Sequence, residues 1–302
     1  MSRVPVLLLA LLMGCACSRT DINAAEAPIG VPERWTPPAL STPLYEASPT
    51  FTADGRDLFF MQADRGFDRY RLRETRCVHG HWTDPREPTF AAPAAMHDAD
   101  PFITPDGARL YFVSTRHRFH EIGNDDFDIF EVARRPDGSW GTPRRLPEPV
   151  NSPESELLPR MDRRGHLYFG SSRPGGKGGY DIYRATARGD TWSVTPIDAV
   201  NSTANEYEAD ISADGTRLAV VSDRQARSRI YLYRMSDGFW IPYGRVHARD
   251  DAFQVGPLFS PDGRRLLFAQ DAGKDSGEVF VVDIAAGADS SWPHACQRGR
   301  TR

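Results

Sequence analysis

The sequence predicts an all-β protein, a β-propeller of four-stranded blades. Three observations carry that expectation. A unit of roughly 50 residues recurs five times, each unit holds four strand-like segments, and tryptophans return at one phase of it.

The units read SPTFTADGRDLFFMQ, DPFITPDGARLYFVSTR, LPRMDRRGHLYFGSSR, EADISADGTRLAVVSDR and GPLFSPDGRRLLFAQD. Their glycines, Gly55, Gly107, Gly165, Gly215 and Gly263, stand 52, 58, 50 and 48 residues apart. Six residues ahead of each lies Pro49, Pro101, Pro159, Ala209 or Pro257, and three before that Glu46, Asp98, Glu156, Glu206 or Gln254. The segments on either side of the glycine alternate with period two, as strands do. Asp54, Asp106, Asp214 and Asp262 make the Asp-Gly turn between them, because both residue types tolerate positive φ; Arg164 in the third unit is a weaker turn former. Third strands are expected at 68–72, 128–132, 181–185, 229–233 and 278–282. Fourth strands, each with a tryptophan, are expected at 81–85, 139–143, 191–196 and 239–243.

The two remaining tryptophans decide the count of blades. Residues 34–49, around Trp35, match the end of a repeat, so the N-terminus supplies a lone fourth strand that completes the last blade and closes the ring. This favours five blades; six is the alternative if Trp292 belongs to a true fourth strand. The propeller is expected over 34–292, followed by a basic tail at 293–302.

Arg3 followed by the apolar run Val4–Met13 suits a signal peptide and is too short to span a bilayer, which needs about 20 residues. Leu12-Met13-Gly14-Cys15 resembles the lipobox of bacterial lipoproteins. The resemblance implies cleavage after residue 14, lipidation of Cys15 and a linker over 15–33; Cys17 is a weaker alternative. A formal charge of −4, from 37 basic and 41 acidic residues, argues against nucleic-acid binding. Four scattered cysteines and no Cys/His cluster give no zinc site, and no cofactor is expected. Ring closure makes the first and last blades neighbours, so Cys77 and Cys296 form a candidate disulfide that spacing alone does not decide.

The P-x-x-S/T-x-D-G…L-x-F…S-x-R…D-I-Y unit resembles the TolB-type, WD-like propeller repeat of bacterial envelope proteins. SSRPGGKGGYDIY at 171–183, followed by GDTWSVTPIDAVNST, resembles the variety found in OmpA-associated proteins. The resemblance covers roughly 34–285. It implies a periplasmic, non-catalytic binding or scaffolding platform on the outer membrane, touching the membrane through its lipid and binding an envelope protein or peptide. Two departures are expected: 18–33 is too short for the domain that precedes the TolB propeller, and no peptidoglycan-binding domain follows the repeats.

Several residues are candidates for chemistry. The glycine-rich loop lacks the Ser/Thr and the following helix of a phosphate-binding loop, so a strand connection is expected. Glu46, Asp98, Glu156 and Glu206 precede the first strands, and Arg116, Arg173 and Arg224 end second strands. Either these groups pair to hold adjacent blades, or the acids form a carboxylate ring at the channel mouth. Arg173 and Lys177 stand at the rim formed by the strand 2–3 loops (117–127, 174–179) and inter-blade loops (149–155, 199–205), the expected binding face. Asn124, Asp126 and Asp128 offer oxygen ligands without the EF-hand spacing. No G-x-S-x-G elbow is present. The catalytic alternative is a carbohydrate-active enzyme, glycosidase or lyase, using channel carboxylates such as Asp98 and Glu206.

Overall fold

The computed structural model describes residues 28–296 apart from 65, 95, 117–125, 190, 249–251, 273–276 and 295. The regular elements among them are all strands. A short β1 (Glu33–Arg34) precedes the repeats. The first unit holds β2 (Tyr45–Phe51), β3 (Asp57–Ala63), β4 (Tyr70–Val78) and β5 (His81–Trp82). The second holds β6 (Asp98–Ile103), β7 (Arg109–Ser114), β8 (Asp128–Ala133) and β9 (Arg144–Arg145), and the third β10 (Glu156–Met161), β11 (Leu167–Ser171), β12 (Asp181–Arg188) and β13 (Thr191–Pro196). The fourth holds β14 (Glu206–Ile211), β15 (Arg217–Ser222), β16 (Arg229–Ser236) and β17 (Phe239–Arg245). The last comprises β18 (Gln254–Phe259), β19 (Arg265–Asp271) and β20 (Gly277–Asp283).

Each unit is an antiparallel meander. The last unit takes its fourth strand from the N-terminus: Glu33 lies opposite Val281 and Arg34 opposite Phe280. Engagement starts still earlier, where Gly30 N donates to Asp283 O. Trp292 is not in a strand; it is buried among Leu258, Leu267, Val279 and Val281, in the core of the last sheet. The expected fourth strand at 139–143 is also displaced. Trp140 makes only an isolated bridge to Arg134, and the strand proper is β9, just beyond it.

First and second strands are buried on both faces because the sheets stack face to face. Phe59 and Leu72 of the first unit pack with Ile103, Phe112 and Trp140 of the second. Tyr168 and Ile182 of the third pack with Ile211, Val220 and Tyr233 of the fourth. First strands touch in the order β2, β6, β10, β14, β18 and again β2. These features are those of a β-propeller.

The hairpin turns follow from side chains as well as glycines. Thr52 Oγ1 donates to Asp54 Oδ1 at 2.7 Å beside Gly55, whose φ is +66°, and Ser212 and Asp214 repeat the pair at 2.6 Å. In the third unit, where Arg164 replaces the aspartate, Asp162 accepts from Arg164 N and His166 N at 2.9 and 3.0 Å. The carboxylate has moved two places along the chain and the turn survives.

Each first strand carries a β-bulge, seen as a register shift against its neighbour at Ala47/Thr50, Ala99/Phe102, Leu157/Arg160, Glu206/Glu208 and Val255/Leu258. Ser48, Asp100, Leu158 and Gly256 have positive φ there. The prolines that follow them have no N–H to leave unpaired where the ladder is interrupted.

Candidate functional site

The bulges decide which residues face the propeller axis. Residues two places after the acids meet from unit to unit: Ser48 Oγ donates to Asp100 Oδ1 at 2.8 Å, Leu158 N to Asp100 Oδ2 at 3.1 Å, and Gly256 N to Glu208 Oε2 at 2.6 Å. A Cβ on Gly256 would stand 2.7 Å from Ser48 N, so only glycine fits that approach. One step deeper, Arg160 is 0% exposed. Its Nη1 donates to the carbonyls of Pro101 and Pro159, both at 3.1 Å, and Nε lies 3.6 Å from Asp210 Oδ1. Its Nε and Nη2 carry no hydrogen bond among the described residues. The Phe102 ring lies 5.7 Å from its guanidinium carbon.

Three carboxyl groups therefore share this core with one guanidinium. Burial, then the Asp100 charge, push the Glu208 carboxyl up to about 8. Burial raises Asp100 too, against hydrogen bonds from Ser48 and Leu158 N and the Arg160 charge. Asp210 is pushed up to about 6 by burial, with Arg160 opposing.

Above the ring of bulges opens a funnel of about 270 Å³. Its lining includes Phe67, Tyr70, Phe127, Tyr207 and Phe253, with Asp100 and Glu208 among them. The rings form a continuous arc: Phe253–Phe67 at 5.7 Å, Phe67–Tyr70 at 6.2 Å and Tyr70–Phe127 at 5.6 Å between centroids. Tyr45 backs the arc, stacked on Phe253 at 5.2 Å. Phe67 is held at φ +55°, in a turn where Asp64 Oδ1 accepts from Asp68 N and Arg69 N. A bulky residue in the left-handed region stores strain on the order of 1 kcal/mol, and such strain is concentrated at binding sites.

The residues singled out in the sequence occupy different ground. Glu46, Asp98, Glu156 and Glu206 lie at the starts of the first strands, with their side chains buried. Ser152 N and Oγ donate to the two oxygens of Glu156, at 3.0 and 2.6 Å, and Ser202 holds Glu206 in the same way. Arg116 pairs with both oxygens of Asp98 at 2.8 and 2.9 Å; Arg173 reaches Glu156 at 3.1 Å and Arg224 reaches Glu206 at 3.0 Å. These arginines stand two residues beyond their strand ends and bond back to Ser114, Ser171 and Ser222. Glu46 has Thr42 and Gln62 as partners, and burial pushes its carboxyl up to about 7 against their hydrogen bonds.

Lys177 Nζ donates to Asp198 O at 2.6 Å. The glycine-rich loop around it holds an anion of its own: Lys177 N and Gly178 N donate to Asp181 Oδ2 at 2.8 and 3.1 Å. Asp128 pairs with Arg145 at 2.6 Å and Asp126 accepts from Ser155 at 3.1 Å; Asn124 lies outside the described residues, as do Cys15 and the leader. Cys77 and Cys296 are joined sulfur to sulfur, Cα to Cα 5.4 Å. A larger cavity of about 550 Å³ lies between the first two units, but its charges pair among themselves, Asp57 with Arg76 and Arg134, both at 2.6 Å, and Glu74 with Arg86 at 3.0 Å.

Fold and site together define a β-propeller with an aromatic funnel on its axis. The fold is TolB-like. TolB from Acinetobacter baumannii aligns with TM-score 0.53 and 17% identity over 82% of this chain and 56% of that one. A putative TolB from Agrobacterium tumefaciens aligns with TM-score 0.51 and 18% identity over 82% and 79%. Hydrazine synthase from Kuenenia stuttgartiensis aligns at 0.50 and 14%, over 80% and 38%. The chain thus spans little more than half the length of the Acinetobacter protein. No family model and no curated protein matches the sequence. At such identities the likeness concerns the fold.

Proposed function

We propose that this chain is a non-catalytic binding propeller of the bacterial periplasm, taking a protein or peptide partner over its axial funnel. We further propose that the ring has five blades closed by β1, and that Cys15 carries a lipid holding the protein at the outer membrane. The observation that carries the reading is the funnel: half-buried aromatic rings from four units, and carboxyl groups from two, converge on one opening. Large amphipathic rings at the centre of a concave surface are the usual energetic anchors of recognition. A disulfide supports an oxidising compartment, and so export. The TolB-like fold supports an envelope role by analogy.

The carbohydrate-active alternative built on Asp98 and Glu206 finds less support. Every oxygen of the two is already engaged by backbone N–H, serine or arginine donors. A catalytic reading survives only on the Asp100–Glu208 pair, whose raised carboxyls suit a general acid.

The test is site-specific photo-cross-linking in intact envelopes. A photoreactive residue at position 127, on the funnel, is expected to yield a discrete protein adduct. One at position 137, in a turn lining the cavity between the first two units, is expected to yield none. Equal labelling from both positions, or polysaccharide turnover lost in Glu208→Gln, would sink the reading.

A further inference from the structure

We infer that the axial funnel is a receptor for the ammonium group of a lysine side chain presented by a partner polypeptide. The inference rests on the reading of the funnel as the binding site, and gives that site a ligand chemistry.

Three observations converge on it. The walls are aromatic faces, whose negative quadrupoles attract a cation within about 6 Å of the ring centre. The floor is acidic: Asp100 from β6 and Glu208 from β14 enter the same cavity. Glu208 spends one oxygen on Gly256 N, and its other oxygen has no hydrogen bond among the described residues. Among the described residues, the three carboxyl groups of Asp100, Glu208 and Asp210 share a single buried guanidinium, that of Arg160. Aromatic walls alone accept any apolar group, and acids alone accept water. Together they favour a group with a methylene stem and a charged tip, which lays the stem along the rings and carries the charge to the floor.

Geometry selects an ammonium over a guanidinium. The two carboxyl groups come from different strands and do not offer the single planar face that a guanidinium fork matches. A compact point charge with three rotatable donors is shared between them more readily. The Glu208 carboxyl, pushed up to about 8, holds its proton below that pH, so lysine entry displaces a proton and affinity rises with pH up to about 8. Besides burial, Asp100 raises the Glu208 carboxyl while the Gly256 N–H and Arg160 lower it, and its charge in turn raises the hydroxyls of Tyr45, Tyr70 and Tyr207.

The experiment compares three small probes on the full chain by NMR titration: Nα-acetyl-lysine methylamide, its Nε-acetyl derivative, and Nα-acetyl-norleucine methylamide. The lysine probe is expected to shift resonances of Phe67, Tyr70, Phe127 and Phe253 saturably. It should bind about tenfold more tightly than either neutral probe, a margin of about 1.4 kcal/mol. Its affinity should increase from pH 6 to about pH 8 and then level off, and Glu208→Gln should remove the advantage with the fold intact. If the norleucine probe binds the funnel as tightly as the lysine probe, the cation inference fails while the funnel remains a ligand site. If no probe shifts the funnel resonances, the inference fails as well, and the cross-linking outcome then decides whether the broader reading stands.

Discussion

Glu208, Asp210 and Asp100 are acids in strands that are otherwise buried, and their protonation couples to folding. Each has its carboxyl raised by burial, as does Glu46. A raised folded-state pKa stabilises fully below the unfolded value, about 4 for these acids, and that stabilisation is lost as pH rises through the folded value. With folded values of about 6, 7 and 8 for Asp210, Glu46 and Glu208, stability is expected to fall between pH 5 and pH 9. Thermal denaturation across that range should show the midpoint dropping, by roughly 2–4 °C per kcal/mol for a chain of this size. Glu208→Gln should flatten the upper half of the curve. A midpoint that climbs steadily from pH 5 to pH 9 would contradict the assignment. These residues were written in the sequence but not legible there. Period-two alternation points residues at Asp98, Asp100 and their kin to one face, and the bulge between them breaks that rule. The usable signal was charge recurring two or four places beyond the acid, both in EYEAD at 206–210 and the second alone in LPRM at 158–161.

Elements were far more legible than residues, because turn chemistry and hydrophobic alternation act locally. The Asp-Gly hairpins, the second strands and the serine-to-arginine corners all follow from short motifs. Asn151 and Asn201 show how a motif acts at a distance. Each caps the third strand of its own sheet, holding both the N–H and the C=O of Ile129 or Ile182. The SSRPGGKGGYDIY loop is a second case. A Cβ on Gly178 would stand 1.7 Å from Ala204 O in the next inter-blade loop, and one on Gly176 would stand 1.9 Å from Asp181 Oδ2. Gly178 answers a close approach between two connections, and Gly176 a close approach to the aspartate that ends its own loop. Gly178→Ala is therefore expected to destabilise by about 1–3 kcal/mol, while Gly189→Ser, in an open hairpin turn with nothing within 4 Å, should be felt only through its φ of +61°. Equal denaturation midpoints for the two variants would refute the packing argument. The tryptophan near 140 shows the limit of local reading, since its phase was right but tertiary packing moved the paired strand beyond it.

At the scale of the whole molecule, the join between the first and last units is secured several times over. β1 pairs with β20, Arg34 reaches Glu278 at 2.5 Å, His294 packs on the turn at Gly55, and Cys77 bonds Cys296 across 219 residues. Replacing both cysteines by serine should lower stability by about 2–4 kcal/mol, read as a lower denaturant midpoint with reducing agent losing its effect. An unchanged midpoint would show that the strand pair and the tail suffice without it. The fold class was readable from repetition, and so were the N-terminal strand that joins the last sheet and the candidate Cys77–Cys296 pair; the Arg34–Glu278 contact and the packing of His294 were not, because they depend on how distant segments meet.

The pairing of β1 with β20 also orders events in time. The strand made first has its hydrogen-bonding partner among the residues made last, nearly 250 positions later in the chain. Until residues 277–283 have emerged, Glu33 and Arg34 have nothing to pair with and the last sheet cannot exist. Contacts so distant in sequence form slowly. A chain with this wiring stays unfinished throughout its synthesis and completes its architecture only when its final segment is released.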